Sequence, residues 1–133
     1  MSDDDVQQYR RLATAFRERD LDGFLSIFAP DADFAPRSTA LDSDGPFHGH
    51  EGIRRWWAGM FAIVSDYQAE IDEIRDLGDV TFSRVRLIGH GIESGAPFEQ
   101  TQWHVVEWQG GTIRRWRTLG TEAEALEAAG LSG

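Results

Sequence analysis

Three strand-like runs in the second half of the chain constrain its fold more than any other feature. Each run places arginines, a histidine or tryptophans at positions where a plain core would hold valine and isoleucine. A sheet with one apolar face and one mixed aromatic and polar face commonly lines a cavity. The three runs are Thr81–Ile88, Thr101–Trp108 and Thr112–Leu119.

The turn between the last two runs predicts how their side chains divide between the two faces of a hairpin. Gly110 and Gly111 both tolerate positive φ and suit a two-residue turn, which pairs Trp108 with Ile113. Strict alternation then gives a cavity face of Trp103, Val105, Glu107, Arg114, Trp116 and Thr118, with Glu107 opposite Arg114. The other face, which we expect to meet water or a partner subunit, carries His104, Val106, Trp108, Ile113, Arg115 and Arg117.

Hydrophobic spacing predicts three helices ahead of these strands. Apolar residues recur at helical spacing along Val6–Phe16, which predicts the first helix. The second begins after its capping residue Asp20 and ends at Pro30. The third has one continuous core face along Ile53–Val64.

The remaining segments complete an α+β pattern. A short strand is predicted over 32–35, a long loop over 36–49, and another strand over Tyr67–Glu73. Thr121 begins a capping box for a short C-terminal helix that Gly130 ends. Helices followed by a four-stranded meander indicate a curved antiparallel sheet packed against three N-terminal helices.

Composition narrows the class of protein. The 133 residues are enough for one domain, expected to span 1–133, and too few for two. The formal net charge of −10 repels phosphate backbones and anionic membranes, so we expect neither nucleic-acid nor membrane binding. No apolar run approaches the roughly 20 residues of a membrane span, and without cysteine there is no disulfide or thiolate metal site. We expect a cytoplasmic protein without a metal or a cofactor.

Three stretches of the chain resemble the SnoaL-like branch of the nuclear transport factor 2-like superfamily. They are Phe28–Phe34, Gly49–Trp57 and Gly110–Trp116, and the resemblance extends from Val6 to Leu131. It implies a nuclear transport factor 2-like (cystatin-like) fold, in which a cone-shaped sheet surrounds a deep, mostly apolar pocket. It also implies a homodimer, often formed through the convex face of the sheet. The fold hosts isomerases, cyclases, dehydratases, epoxide hydrolases and non-catalytic binders, so it implies no single activity.

The catalytic aspartates of limonene epoxide hydrolases are missing from the matching positions. In those enzymes an Asp-Arg-Asp set polarises the epoxide and activates water. Arg84 matches the arginine, but Arg86 and Thr118 stand where the aspartates should be. Threonine and arginine are not general bases near neutral pH, so the resemblance does not extend to that chemistry.

The catalytic residues of two further branches, the ketosteroid isomerases and the polyketide cyclases, are not all matched either. The base of ketosteroid isomerases aligns near Pro36, and their oxyanion tyrosine aligns near Leu12. Polyketide cyclases combine a late-strand aspartate with a histidine. His104 is a counterpart of that histidine, but no aspartate follows Asp79.

The catalytic residues are therefore unknown, and His48 and His104 are the only weak candidates. The hairpin register favours an outward His104, whereas His48 lies at the end of the long loop, near the expected pocket rim. His48 and His50 lack further ligands at a suitable spacing, so no metal site is expected. For Arg84 the alternatives are a ligand contact and a salt-bridged strand arginine. The predicted pocket residues are Phe34, Trp57, Phe61, Phe82, Arg84, Trp103, Trp116 and Thr118, with plain core packing as the alternative for the aromatic ones.

Two functions follow from the sequence. The first is a SnoaL-like protein that binds a small, mostly apolar or carbonyl-containing molecule, with isomerase, cyclase or dehydratase chemistry as a possible activity. The second is a non-catalytic ligand-binding or dimerisation module. A buried histidine or carboxylate inside the pocket would favour an enzyme, whereas a pocket of aromatic residues alone would favour binding.

Overall fold

The computed structural model describes residues 2–36, 47–63 and 66–130. Within them, no helix is long and apolar enough to cross a membrane. Most of the predicted loop over 36–49, and Val64 of the third helix, lie outside the described residues. The elements in chain order are α1 (Ser2–Glu18), α2 (Leu21–Leu25), β1 (Phe28–Ala35), β2 (Phe47–His48), α3 (Gly49–Ile63), β3 (Gln68–Asp76), β4 (Val80–His90), β5 (Pro97–Gln109), β6 (Thr112–Leu119) and α4 (Glu122–Ala128).

The strands form one six-stranded sheet in the order β2-β1-β6-β5-β4-β3. Strands β3 to β6 pair antiparallel, as the predicted meander requires. The prediction of a wholly antiparallel sheet is wrong at one place, because β1 lies parallel to β6. The chain passes through α3 and the whole meander before β6 returns beside β1, and that crossover fixes the parallel direction. The predicted α+β class is confirmed.

Strand β1 is longer than predicted, because it begins at Phe28 and not at Ala32. Its pairing with β6 is irregular between Phe28 and Asp33. Pro30 lies inside that irregular stretch, where the missing backbone N–H leaves no ladder bond unmade. The prediction that the second helix ends at Pro30 is therefore wrong, because α2 ends at Leu25 and Pro30 lies inside β1.

Helices α1, α2 and α3 bury their predicted apolar faces in one core. Aromatic rings carry much of this packing: Phe34 lies 4.7 Å from Trp56, and Phe24 lies 4.9 Å from Trp57. Ile53 is completely enclosed. Edge-to-face contacts of this kind stabilise a core beyond the area that they bury.

A second, smaller core lies on the opposite face of the sheet, beneath α4. Phe82, Val105 and Ala125 are buried there, with Trp103 and Leu119 packed against them. Helix α4 begins as predicted, since the Thr121 side chain accepts a hydrogen bond from the Glu124 N–H at 3.2 Å. The sheet therefore has a concave face toward α1–α3 and a convex face toward α4.

A β-bulge in β6 overturns the predicted division of the hairpin. Trp108 pairs with Ile113 as expected, but Glu107 pairs with Arg115, so Arg114 is an extra residue in β6. One inserted residue changes which β6 side chains share a face with β5. The concave face therefore combines His104, Val106, Trp108, Ile113, Trp116 and Thr118, whereas Trp103, Val105 and Glu107 lie on the convex face.

Candidate functional site

A cavity of about 180 Å³ lies between the concave face of the sheet and helices α1–α3. A dry cavity of about 150 Å³ is enough to hold benzene. Every long element except α4 contributes to its wall. Most of the wall is apolar, and among the described residues no Arg, Lys, Asp or Glu lines it. The lining residues are Tyr9, Leu12, Ala13, Phe16, Phe24, Phe34, Pro36, Trp56, Met60, Tyr67, Ala69, Ile71, Val85, Leu87, Phe98, Gln100, Gln102, His104, Trp116 and Thr118.

The polar groups of the wall are concentrated along one strand. Gln100, Gln102 and His104 alternate along β5, so all three point to the concave face. Gln102 Nε2 donates to Gln100 Oε1 at 3.3 Å. Thr118 lies opposite His104 on β6 and accepts a hydrogen bond from Trp116 Nε1 at 2.9 Å. The cavity thus has one polar edge and otherwise apolar walls.

Three side chains form a buried hydrogen-bond chain on the concave face of the sheet. The Tyr9 hydroxyl lies 2.7 Å from His104 Nδ1 and 2.6 Å from Ser83 Oγ. Ser83 and His104 are direct neighbours across β4 and β5, and Tyr9 reaches them from α1. The exposed fractions are 3% for Tyr9, 1% for Ser83 and 9% for His104, so water cannot easily replace any of these contacts.

Burial keeps the side chains of Tyr9 and His104 uncharged. It lowers the pKa of His104 to about 3, because the interior disfavours the imidazolium. Burial also raises the pKa of Tyr9, and the hydrogen bond from Ser83 only partly offsets that rise. Both groups are therefore neutral near pH 7. A neutral imidazole donates through one ring nitrogen and accepts through the other.

Four of the predicted site residues meet at the cavity: Phe34, Trp116, Thr118 and His104. For His104 this reverses the outward position that the sequence favoured. Trp57 and Phe61 lie on the same side of the sheet but pack behind the wall, with their rings 5.0 Å apart. They support the lining residues and do not form part of the cavity surface.

Three predicted pocket residues lie on the convex face, and their prediction as cavity wall is wrong. Phe82 and Trp103 belong to the core beneath α4. Arg84 lies 3.9 Å from Asp72, among the exposed ion pairs of β3 and β4. The reason is the alternation of β4: because Val85 faces the cavity, its neighbour Arg84 must face outward.

His48 lies outside the cavity wall. Its Nδ1 is 3.0 Å from Asp33 Oδ1, and both side chains are largely exposed. His50 points elsewhere, since its Nε2 donates to the Phe28 carbonyl at 2.9 Å. Across residues 2–36, 47–63 and 66–130, no group of three His, Asp or Glu side chains is arranged to hold a metal ion.

The sequence reasoning missed Tyr9, Ser83, Gln100 and Gln102. Tyr9 occupies an apolar helical position, and nothing local distinguishes it from a core aromatic residue. The two glutamines carried a usable signal. Together with His104 they recur at a spacing of two, which predicts a polar stripe on one face of a strand.

Comparison with known proteins identifies the class of domain. The sequence profile of the SnoaL-like domain family matches residues 9–116. No curated protein matches the chain. Among solved structures, an NTF2-like protein of unknown function from Burkholderia pseudomallei superposes with a TM-score of 0.80 at 20% identity, over 93% of this chain and 95% of its own.

Two further structures come from proteins whose names indicate a ligand or an activity. IdmH from Streptomyces antibioticus, a candidate polyketide cyclase, matches with a TM-score of 0.77 at 26% identity, over 95% of this chain and 98% of its own. TerC, crystallised with polyporic acid, matches with a TM-score of 0.79 at 19% identity, over 93% of this chain and 98% of its own. These likenesses establish an NTF2-like fold for the chain.

Proposed function

Because the chain belongs to the SnoaL-like domain family, we propose that it binds a small, mostly apolar molecule in the cavity between its sheet and helices. One observation carries the proposal: a hollow of about 180 Å³ has apolar walls and a single polar edge. Pockets for small molecules combine these two features, since apolar walls supply affinity and a few polar groups fix orientation. A cavity of this volume suits one or two fused rings.

The electrostatics of the wall support an uncharged ligand. Among the described residues no ionised side chain lines the cavity, and His104 is neutral near pH 7. A charged ligand would lose its hydration there without gaining a counter-ion, which is strongly unfavourable. The polar side chains of the cavity edge are those of Gln100, Gln102, His104 and Thr118.

The same geometry favours binding over catalysis. Proton abstraction near neutral pH needs a base whose pKa lies near the working pH. His104 is the ionisable group of the polar edge, and its pKa of about 3 makes it a weak base. A non-catalytic ligand-binding module is therefore the better supported of the two functions.

A second candidate is proton transfer on a carbonyl compound, as in isomerisation, cyclisation or dehydration. The position of His104 inside the cavity supports it, as does the likeness to a candidate polyketide cyclase. His104→Gln distinguishes the two functions. It should leave the affinity of a binding protein within about tenfold, whereas an enzyme that used His104 would lose turnover by at least about 100-fold.

Isothermal titration with indane and indan-1-one tests the binding function. The bicyclic rings match the cavity volume, and both compounds are uncharged. Ala69→Phe places a ring in the cavity from β3 and should reduce the affinity for both compounds by more than about tenfold. Ala58→Phe, at an exposed position of α3, is the matched control and should bind as the natural chain does. Equal binding by both variants would contradict the proposal.

We also propose a homodimer in the cytoplasm, as the family resemblance implies. Helix α4 packs on β5 and β6 and covers Phe82, which leaves the convex side of β3 and the part of β4 around Arg84 and Arg86 for a second copy. That surface carries charges of both signs, including Arg86 at 2.8 Å from Glu70, so a twofold-related copy can match them. Sedimentation velocity at micromolar concentration should give the dimer mass, and a monomer would contradict the proposal.

A further inference from the structure

The Ser83–Tyr9–His104 chain is a hydrogen-bonded row whose direction decides what the cavity offers to a ligand. The distances fix the contacts but not the positions of the hydrogens: the Tyr9 hydroxyl is able to donate to Ser83 or to His104. Each choice leaves a different hydrogen on the imidazole. Neutral histidine carries its single ring hydrogen on Nδ1 or on Nε2.

In the first arrangement, the Ser83 hydroxyl donates to Tyr9 and the Tyr9 hydroxyl donates to His104 Nδ1. His104 then carries its hydrogen on Nε2. In the second arrangement, His104 Nδ1–H donates to Tyr9, and Tyr9 donates to Ser83 Oγ. Nε2 is then unprotonated and is a hydrogen-bond acceptor, and the Ser83 hydroxyl needs another acceptor.

Burial decides between the two arrangements. Ser83 is 1% exposed, and within the described part of the chain its Oγ contacts only the Tyr9 hydroxyl. In the second arrangement, the Ser83 O–H would therefore be a buried donor without an acceptor, which costs roughly 1–3 kcal/mol. In the first arrangement, the hydroxyl hydrogens of Ser83 and Tyr9 each have an acceptor. The first arrangement is therefore the more stable one.

Nε2 is the remaining polar atom of the imidazole, and His104 is a residue of the cavity wall. Nε2 makes no hydrogen bond within residues 2–36, 47–63 and 66–130, and His104 lines the cavity. The completely enclosed donors without a partner in the described residues are Trp56 Nε1, Trp103 Nε1 and Arg117 Nε. Nε2 of His104 does not belong to that set, so it keeps surface that a ligand is able to reach.

We infer that Tyr9 is a positioning residue that holds His104 as the Nε2–H tautomer, so that the cavity presents a hydrogen-bond donor to its ligand. The ligand class is then an uncharged ring compound with an acceptor oxygen, such as a ketone, an aldehyde or a quinone. This inference rests on the proposed function for its ligand, but the tautomer itself is a property of the ligand-free protein.

The tautomer is measured directly by two- and three-bond ¹H–¹⁵N correlation spectra of protein labelled with ¹⁵N-histidine. The spectra should show a protonated Nε2 and an unprotonated Nδ1 for His104 at neutral pH. Ser83→Ala should keep this pattern, because Tyr9 then has only Nδ1 as an acceptor. Tyr9→Phe should weaken the preference and give a mixture of the tautomers. A protonated Nδ1 in the natural chain, or a change of tautomer in Ser83→Ala, would overturn the inference.

The ligand class is tested with the same pair of probes, indane and indan-1-one, which differ by one carbonyl oxygen. His104→Phe should weaken the affinity for indan-1-one about tenfold relative to its effect on indane, since only the ketone loses a hydrogen bond. An unchanged ratio of the two affinities would overturn the assignment of an acceptor oxygen. If neither probe binds to the natural chain, the proposed function fails for ligands of this size, while the spectra still decide the role of Tyr9.

Discussion

The two faces of strands β4–β6 carry the side chains of alternate residues of the same strands, but one face borders a cavity and the other is filled. On the concave side, α1–α3 span the curved sheet and leave a cavity of about 180 Å³. On the convex side, α4 closes directly over Phe82 and Val105, whose exposed fractions are 1% and 0%. Both faces are apolar near their centres, so hydrophobicity does not distinguish them.

The difference lies in the size of the side chains on the covering helices. Helix α4 packs on the sheet through Ala125, Leu126 and Ala128, followed by Ala129, and the three alanines allow close contact. On the other side, α1 and α3 hold Tyr9, Trp56 and other long side chains that keep the helices away from the strands. A curved sheet covered at a distance retains a space that the side chains do not fill.

The largest expected effect comes from inserting an alanine between Arg115 and Trp116, which shifts the rest of β6 by one residue against β5. With the insertion, Trp116 should turn toward the convex side and Arg117 toward the cavity. The loss of a core tryptophan and the burial of a guanidinium should together lower the free energy of unfolding by more than about 5 kcal/mol. Circular dichroism and chemical denaturation measure this loss, and a folded, stable insertion variant would contradict the role of the β6 register.

Phe82→Ala and Phe98→Ala compare the filled face with the hollow face through the same substitution. Phe82 is enclosed beneath α4, so its removal should lower the free energy of unfolding by about 3–5 kcal/mol. Phe98 is half-buried at the cavity wall, and its removal should cost less than about 2 kcal/mol. Guanidinium denaturation measures the free energy of unfolding of both variants, and equal decreases would mean that the two faces are packed alike.

The concave face should also make stability depend on pH through His104. Its folded pKa of about 3 lies below the ordinary value of 6.5, so the unfolded chain binds more protons between these values. Stability is therefore complete above pH 6.5 and should fall by about 2 kcal/mol from pH 7 to pH 5. Urea denaturation at each pH measures the decrease.

His104→Gln should abolish most of this decrease, because glutamine does not titrate. His48→Gln is the matched control at an exposed position, and it should retain the decrease. If the natural chain and His104→Gln lost the same stability between pH 7 and pH 5, the buried neutral imidazole would be excluded as its source.

The smallest expected effect comes from Arg114→Ala, which keeps the number of residues in β6 and removes only the side chain. Arg114 bonds to Glu107 on the convex face, where Arg115 and Arg117 also lie within 3.5 Å and 3.4 Å of the same carboxylate. Because the Arg114 side chain is exposed, its loss should cost less than about 1 kcal/mol. A loss as large as that of the insertion would mean that the ion pair between Arg114 and Glu107, and not the number of residues in β6, holds the register.

Local patterns predicted the order and type of every element except β2, which lies at the end of the stretch predicted as a loop. The bulge explains why the site was not predicted. Helical spacing, capping by Thr121 and the Gly110-Gly111 turn are local signals, and each is present in the structure. The bulge changed the face of the β6 residues beyond it, which placed Trp116 and Thr118 on the face of His104 and not on the face of Trp103. The register of β6 is decided by its pairing with both β1 and β5, and the sequence of β6 alone does not reveal that pairing.

One sequence signal for the bulge was nevertheless present. Ile113 and Trp116 are both large and apolar but stand three residues apart, so strict alternation would expose one of them. An inserted residue between them buries both, and Arg114 is that residue. The contact between Tyr9 and His104 had no such signal, because the two residues are 95 positions apart and meet only in the folded chain.

A crystal structure with indan-1-one bound tests the central claim most directly, namely that the concave hollow receives a ligand against His104. The ring should lie among Phe34, Trp56 and Trp116, with its carbonyl oxygen about 3 Å from His104 Nε2. A hollow closed by rearranged side chains, or a ketone bound only on the outer surface, would contradict the account.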